Sequence, residues 1–394
     1  MNMREVVFVD AARTPFCRMG GMLKEKNATD LGMIVLQALL DKSDILARGE
    51  VNAVMAGTAN TDAFCRHPAR YMTLGVNLPL KTSSSSIEMQ DGTAIAAMNF
   101  AAYKIALGFD DVILVGGVDS WSRKPAYMKM DTKPYQLIAP AAIEHKVSPY
   151  EDEDLNTIQI SDRVAKLWNI SRSECDEAAA MSAEKYSAAC QKGLLGSEVI
   201  PFVIPATKKA PEITVSADDV AEVSGLAAMD PFRTDGVTTA GNLAHYADGA
   251  GFVMMMSADK ARELGYTPIA RWVVGADVGC EPNVTAAASA HAGMKAVKSA
   301  GLQVSDIALW ENNQISAAYD ICARKELNRL SGGQVKLDSW NPNGGALAVG
   351  QAGAAAGVRM VCAAMQSLET TGRFACVTSG CAGGQGSSLI LEKL

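Results

Sequence analysis

The chain has no run of about 18 consecutive apolar residues, the length a helix needs to cross a lipid core, so a spanning helix is excluded. The opening Met1-Asn2-Met3-Arg4-Glu5 leads straight into an apolar strand pattern with no signal-like segment, and a cytoplasmic protein with no membrane partner is expected. An excess of basic residues is missing as well. There are 36 Lys and Arg against 43 Asp and Glu, a net charge of −7, which offers no basic face to nucleic acid. The nine cysteines (17, 65, 175, 190, 280, 322, 362, 376 and 381) include no CxxC pair and are odd in number. That pattern excludes a disulfide framework and a zinc site, and no metal is expected. Most of these cysteines sit in apolar company, where the residue acts as a small buried hydrophobe; Cys381 and Cys65 stand apart.

What is present is apolar bulk. With 394 residues, 48% of them hydrophobic, the chain can bury a large core and is long enough for two domains. An internal repeat organises it. The first half reads as a strand at Val6 to Val9, a helix at Leu31 to Asp41, a strand at Ala53 to Gly57, a helix at Gly92 to Leu107 and a strand at Val112 to Gly117. The second half follows the same order, with a strand at Ala270 to Val274, helices at Ala290 to Ala300, Ala317 to Leu330 and Gly350 to Met365, and strands at Ile307 to Trp310, Phe374 to Thr378 and Ser387 to Leu391. Short β runs alternating with helices of period 3.6 predict α/β units with mixed sheets covered by helices. The helices at Gly92 to Leu107 and Gly350 to Met365 carry small or apolar residues on every face, which predicts burial between sheets. Between the halves, Trp121 to Val237 is polar and Pro-containing. Two helices punctuate it, one at Asn156 to Leu167 and one entered through the capping box Ser171-Arg172-Ser173-Glu174. This section reads as an insertion that covers the frame as a lid. The expected boundaries are 1–120 and 238–267 for the N-terminal half, 121–237 for the insertion and 268–394 for the C-terminal half.

The motifs Ala11-Ala12-Arg13-Thr14-Pro15-Phe16, His67-Pro68-Ala69-Arg70, Thr239-Ala240-Gly241-Asn242, Asn341-Pro342-Asn343-Gly344-Gly345-Ala346 and Gly383-Gly384-Gln385-Gly386 occur in this order. So does Ala106-Leu107-Gly108 before Val112-Ile113-Leu114-Val115-Gly116-Gly117. Together they resemble the thiolases, the acetyl-CoA acetyltransferase and 3-ketoacyl-CoA thiolase family, across essentially the whole chain. The resemblance implies a five-layered α/β/α/β/α fold from two pseudo-repeated halves with a middle loop domain. It also implies a homodimer or homotetramer acting on coenzyme A thioesters, with no bound cofactor.

Thiolase chemistry uses a cysteine thiolate to take the acyl group, a histidine to activate it, a second cysteine to move a proton, and donors that hold the thioester oxyanion. In the register set by Ala106-Leu107-Gly108, the resemblance puts the nucleophile's place at Asp91, with Lys81 to Ser86 as extra sequence before it. The histidine's place falls on Gln351, which cannot take a proton. The family Asn-Glu-Ala-Phe-Ala becomes Asn313-Gln314-Ile315-Ser316-Ala317, keeping the asparagine. Aligning Gly383-Gly384-Gln385-Gly386 puts Gly380 where the second cysteine stands, with Cys381 one residue later, a shift that normally turns a side chain away. A serine that contacts the pantetheine becomes Ala244, the Met-Gly of the acyl pocket becomes Thr157-Ile158, and Phe232 matches a phenylalanine of the binding loop. Glycines 383 and 384 are expected to let a ligand approach their backbone.

An aspartate before a helix also caps free N–H groups and is favoured in its ionised form by the helix dipole. Against that bland reading stands the paired loss of the histidine: a carboxylate facing the amides of Gln351 and Asn313 is a chemically sensible replacement. His245, beside the altered Thr239-Ala240-Gly241-Asn242 motif, is the best stand-in base among the four histidines, while His67 and His291 look structural. Two functions follow. The first is an acyltransferase or C–C bond-forming or cleaving enzyme on acyl-CoA without an acyl-cysteine, with Asp91 as base, Asn313 and Gln351 as carbonyl donors and Cys381 nearby. The second is a non-catalytic subunit that binds acyl-CoA or pairs with an active thiolase-type subunit in a hetero-oligomer.

Overall fold

The computed structural model describes residues 3–60, 64–129, 139, 141–143, 145–206, 208, 211–333 and 335–394. Its frame is one mixed sheet in the order Ile307–Asn312, Phe374–Cys381, Gln385–Lys393, Ala270–Gly279, Val6–Arg13, Ala247–Ser257, Val112–Asp119, Ala53–Gly57, Ser83–Ser86. The two halves share one strand pattern. In each, two antiparallel pairings lead to a parallel pairing, Ala53–Gly57 with Val112–Asp119 in the first and Ile307–Asn312 with Phe374–Cys381 in the second, and the first half adds the strand Ser83–Ser86 beyond it. They join where Val6–Arg13 pairs antiparallel with Ala270–Gly279.

The helices Thr93–Ala106 and Ala356–Thr371 lie between the half-sheets. Ile95, Met98, Ala101, Val358 and Val361 share one core cluster with Phe8, Ile113 and Val253 of the first half and Leu309, Val377 and Leu391 of the second. The outer sheet faces are covered separately, by Ala28–Ser43 and Pro68–Gly75 on one side and by Ala288–Ser299 and Ala317–Ser331 on the other. Helix, sheet, paired helices, sheet, helix gives the five layers that the resemblance implied. The central helices touch closely enough that a Cβ on Gly357 would lie 3.0 Å from the Ala94 methyl, which accounts for their small residues.

Two expectations need correction. The second central helix begins at Ala356 rather than Gly350, because Gly350 and Gly353 take left-handed φ values of 83° and 48° that break the helical path. Lys81 to Ser86, for which no element was expected, holds the edge strand Ser83–Ser86, parallel to Ala53–Gly57. Serine has little β propensity, and tertiary pairing overrides it here. The capping box of Ser171 and Glu174 forms as read.

Arg13 ties residues 186, 198 and 218 to the frame. It is 2% exposed, and its guanidinium donates from Nε to Glu198 (2.9 Å) and from Nη1 and Nη2 to Asp218 (2.6 and 2.9 Å), which also accepts from the Tyr186 hydroxyl (2.8 Å). No helix among the described residues is long and apolar enough to cross a membrane.

Candidate active site

The two central helices start side by side, and each delivers one residue to the same place. On the first, Gln90 takes φ 47° and the turn Gln90–Gly92 feeds into Thr93–Ala106, held by Met89 N donating to Thr93 Oγ1 (2.9 Å). On the second, Gln351 N donates to His245 O (2.8 Å) and Gln351 O accepts from Ala247 N (3.0 Å), so this segment runs beside residues 245–247 just before their strand. The outcome is a hydrogen bond from Gln351 Nε2 to Asp91 Oδ1.

Asp91 is only partly buried by surface area, yet the loss of hydration among packed protein atoms dominates its chemistry. Burial, and then the like charge of Asp119, push its carboxyl up to about 7 against the opposing bond from Gln351. The expected helix-dipole preference for the ionised form is therefore outweighed. Asp119 ends the strand Val112–Asp119 with no exposure, and its own carboxyl is pushed to about 6 by burial against four donated hydrogen bonds.

Cys381 does not turn away. The strand Phe374–Cys381 continues in register through Cys381 opposite Gln385, and the thiol lies so close over Gly92 that a Cβ there would sit 2.4 Å from Sγ. Burial raises the thiol's pKa, and the charge of Asp91 adds to it, so the group is held as a thiol. Asn313, 2% exposed, stands one strand over: its N–H donates to Thr378 O (3.0 Å) and its Nδ2 to Ser379 Oγ (3.4 Å). Its buried Oδ1 has no partner among the described residues.

A family model described as the thiolase N-terminal domain matches residues 6–259, and one described as the thiolase C-terminal domain matches 266–393. This chain belongs to the thiolase family. The thiolase is 32% identical to a β-ketoadipyl-CoA thiolase of Escherichia coli over all of both chains. It is 30% identical to an acetyl-CoA acetyltransferase of Chromobacterium violaceum over 99% of this chain and 100% of that one. A human mitochondrial 3-ketoacyl-CoA thiolase superposes over the whole of both chains with a TM-score of 0.90 at 28% identity. The same enzyme solved in complex with CoA gives 0.88 at 28% identity, covering 100% of this chain and 99% of that one.

Among the described residues, the other site candidates of this thiolase make no hydrogen bond to Asp91, and His245 meets the cluster through its backbone oxygen on Gln351 N. His245 packs its ring on Gly350, and burial, then nearby Arg18, lower it to about 4 against the pull of Asp219. It is neutral, with Arg18 and Asp219 rather than Asp91 as its charged neighbours. Ala244 is buried and gives its N–H to Ile315 O (3.1 Å), whereas Phe232 is 51% exposed with its N–H on Thr238 O (2.9 Å). Gly383 and Gly384 have φ 79° and 77°. At Gly384 the close approach comes from the chain itself: a Cβ would sit 2.2 Å from Cys280 O, and Gly384 N donates to Thr285 Oγ1 (3.0 Å). That glycine answers to local packing.

Three residues were missed in the sequence. Tyr246 pairs its backbone with Gln351, stacks on Trp121 with ring centroids 3.9 Å apart, and hydrogen-bonds with Thr157. Burial first, and the charge of Asp91 second, raise the pKa of both Tyr246 and the enclosed Tyr319. Asp119 is the third; its only sequence signal was a carboxylate at the C-terminal end of an apolar strand, where α/β folds build sites.

Proposed function

We propose that this thiolase moves acyl groups between coenzyme A thioesters in a single displacement, with Asp91 as base and without an acyl-cysteine. The observation that carries the reading is the bond between Asp91 and Gln351 at the joined ends of the central helices, with the Asp91 proton poised near neutrality. A base whose pKa lies near the working pH both accepts and returns a proton readily. The Asp91 carboxylate takes a proton from the α-carbon of one thioester, leaving an enolate. The enolate carbon attacks the carbonyl of a second thioester, the C–C bond forms, the C–S bond breaks, and the departing CoA thiolate recovers the proton from Asp91. The reverse direction is thiolysis of a 3-ketoacyl thioester. Asn313 keeps one Nδ2 hydrogen beyond the one given to Ser379, and it serves the enolate oxygen. Coenzyme A as carrier is supported by the names of the relatives and by the neighbour solved with CoA. A homodimer or homotetramer fits the strand Ser83–Ser86, which ends the sheet and which a second copy would cover.

A second reading makes Cys381 the acyl acceptor and Asp91 the base that deprotonates it, favoured by the contact of Sγ with Gly92 beside Asp91. Initial rates with 3-ketoacyl-CoA and CoA as varied substrates, together with mass spectrometry of the protein, separate the readings. Single displacement gives intersecting double-reciprocal lines, no acyl adduct, and a fall in kcat of about 1000-fold in Asp91→Asn. Parallel lines with an adduct on Cys381 overturn it in favour of the second reading. Wild-type protein that neither turns over nor becomes acylated overturns both and leaves a partner subunit that binds acyl-CoA.

A further inference from the structure

Asp119 has no cation paired with it among the described residues. Its oxygens accept from Ala59 N (2.9 Å), Asn60 N (3.0 Å), Asn60 Nδ2 (3.2 Å) and Ala354 N (2.6 Å). Three backbone N–H groups and an amide hold a carboxylate firmly in one orientation. The donors come from two separate loops. Ala59 and Asn60 follow the strand Ala53–Gly57, and Ala354 lies three residues past Gln351 in the turn before the second central helix. That turn fits the carboxylate tightly: Gly353 adopts φ 48°, and a Cβ there would lie 2.3 Å from Asp119 Oδ2. Gln351 cannot move far while this clasp is closed.

The same carboxylate is near enough to Asp91 for its charge to be felt there. The groups around Asp91 are Gln351, Asp119, Cys381, Tyr246 and Tyr319. Gln351 is neutral at all pH, and the thiol and both phenols are held in their protonated forms. Among the described residues, Asp119 alone brings a charge to Asp91 near neutral pH.

We propose that Asp119 is a positioning residue of this site: it clasps the turn that carries Gln351, and its negative charge sets the strength of Asp91 as a base. The inference rests on Asp91 being the base of the reaction. Two substitutions part the two roles. Asp119→Asn keeps the shape, removes the charge and turns an NH2 group against backbone donors. Asp119→Glu keeps the charge and displaces it.

In Asp119→Asn the acid limb of the kcat profile moves down by about one pH unit, because a like charge no longer opposes ionisation of Asp91. The value of kcat falls about tenfold as Gln351 loosens, while KM changes by less than about twofold. In Asp119→Glu, kcat falls and the limb stays within about 0.3 unit of wild type. An unmoved limb in a folded Asp119→Asn protein overturns the electrostatic half, and an unchanged kcat overturns the clasp. If Asp119→Asn does not fold, the 13C carboxyl resonance of Asp91 in the wild-type protein, identified by its loss in Asp91→Asn, gives the test. It must show a second inflection at the lower pH where Asp119 ionises, and a single inflection overturns the coupling. Full activity in Asp91→Asn would sink the reaction assigned to Asp91, and the carbon titration would still report on Asp119.

Discussion

Asp218 and Asp91 are carboxylates of one protein under opposite rule. Burial pushes Asp218 up, but the bidentate guanidinium of Arg13, with Phe16 N–H and the Tyr186 hydroxyl, wins, and its pKa stays below the ordinary carboxylate range. Asp91 meets the same loss of water with a neutral amide in place of a cation and a second carboxylate behind it, and it rises to about 7. Burial therefore does not mark a functional acid. The partner decides the charge state: an acid paired with a cation is locked in its ionised form, while one without a cation titrates nearer neutrality.

Removing the cation from the first centre should make it resemble the second, at great cost. Arg13→Met leaves Asp218 and Glu198 buried without their counter-ion and lowers the unfolding free energy by about 3–5 kcal/mol in a urea titration. A loss below about 1 kcal/mol would mean that water reaches these acids and that the comparison is false.

A medium effect separates the two acids by sign. Asp91 has a raised folded pKa, so between about 4 and 7 the folded chain binds more protons than the unfolded one, and stability drains away as the pH rises through that window. Asp91→Asn abolishes the drain. The variant should exceed wild type by about 2 kcal/mol at pH 8 and match it near pH 4, read from thermal midpoints at both values. Asp218, with a lowered folded value, runs the other way: its contribution is in place above the unfolded carboxylate pKa and is lost as pH falls through the folded one. A variant no more stable than wild type at pH 8 would show that Asp91 is solvated after all.

The smallest effect isolates the single amide. Gln351 Nε2 favours the charged form of Asp91, so Gln351→Leu should raise the acid limb of the pH–rate profile by about half a unit. A limb that falls instead would remove Gln351 as the partner of Asp91.

Much of this was legible in the chain because it is periodic. Ala-rich helices and short β runs repeat across the halves, while the resemblance picked out Asp91 and Gln351 as a pair, at the places where the family keeps its nucleophile and its histidine. Side chains placed by strand ends were harder to read. Cys381 looked one residue out of step, since counting back from Gly383 assumes a loop of family length; in the structure the strand simply runs on to Cys381. Asp119 and Tyr246 carry no motif of their own, and their meaning arises from loops that converge only in three dimensions. Ser83–Ser86 was missed because its residues disfavour a strand and only the neighbour Ala53–Gly57 makes it one.

Asp91 and Gln351 are 260 residues apart in the chain and belong to different repeats. Neither repeat can assemble the pair alone, so the site is a seam that exists only after the two halves have docked helix to helix. If Asp91 is the base proposed above, activity reports long-range assembly: a nascent chain lacking its last repeat, or a partly unfolded one whose halves have slid apart, carries the carboxylate with nothing to face it and is silent by construction.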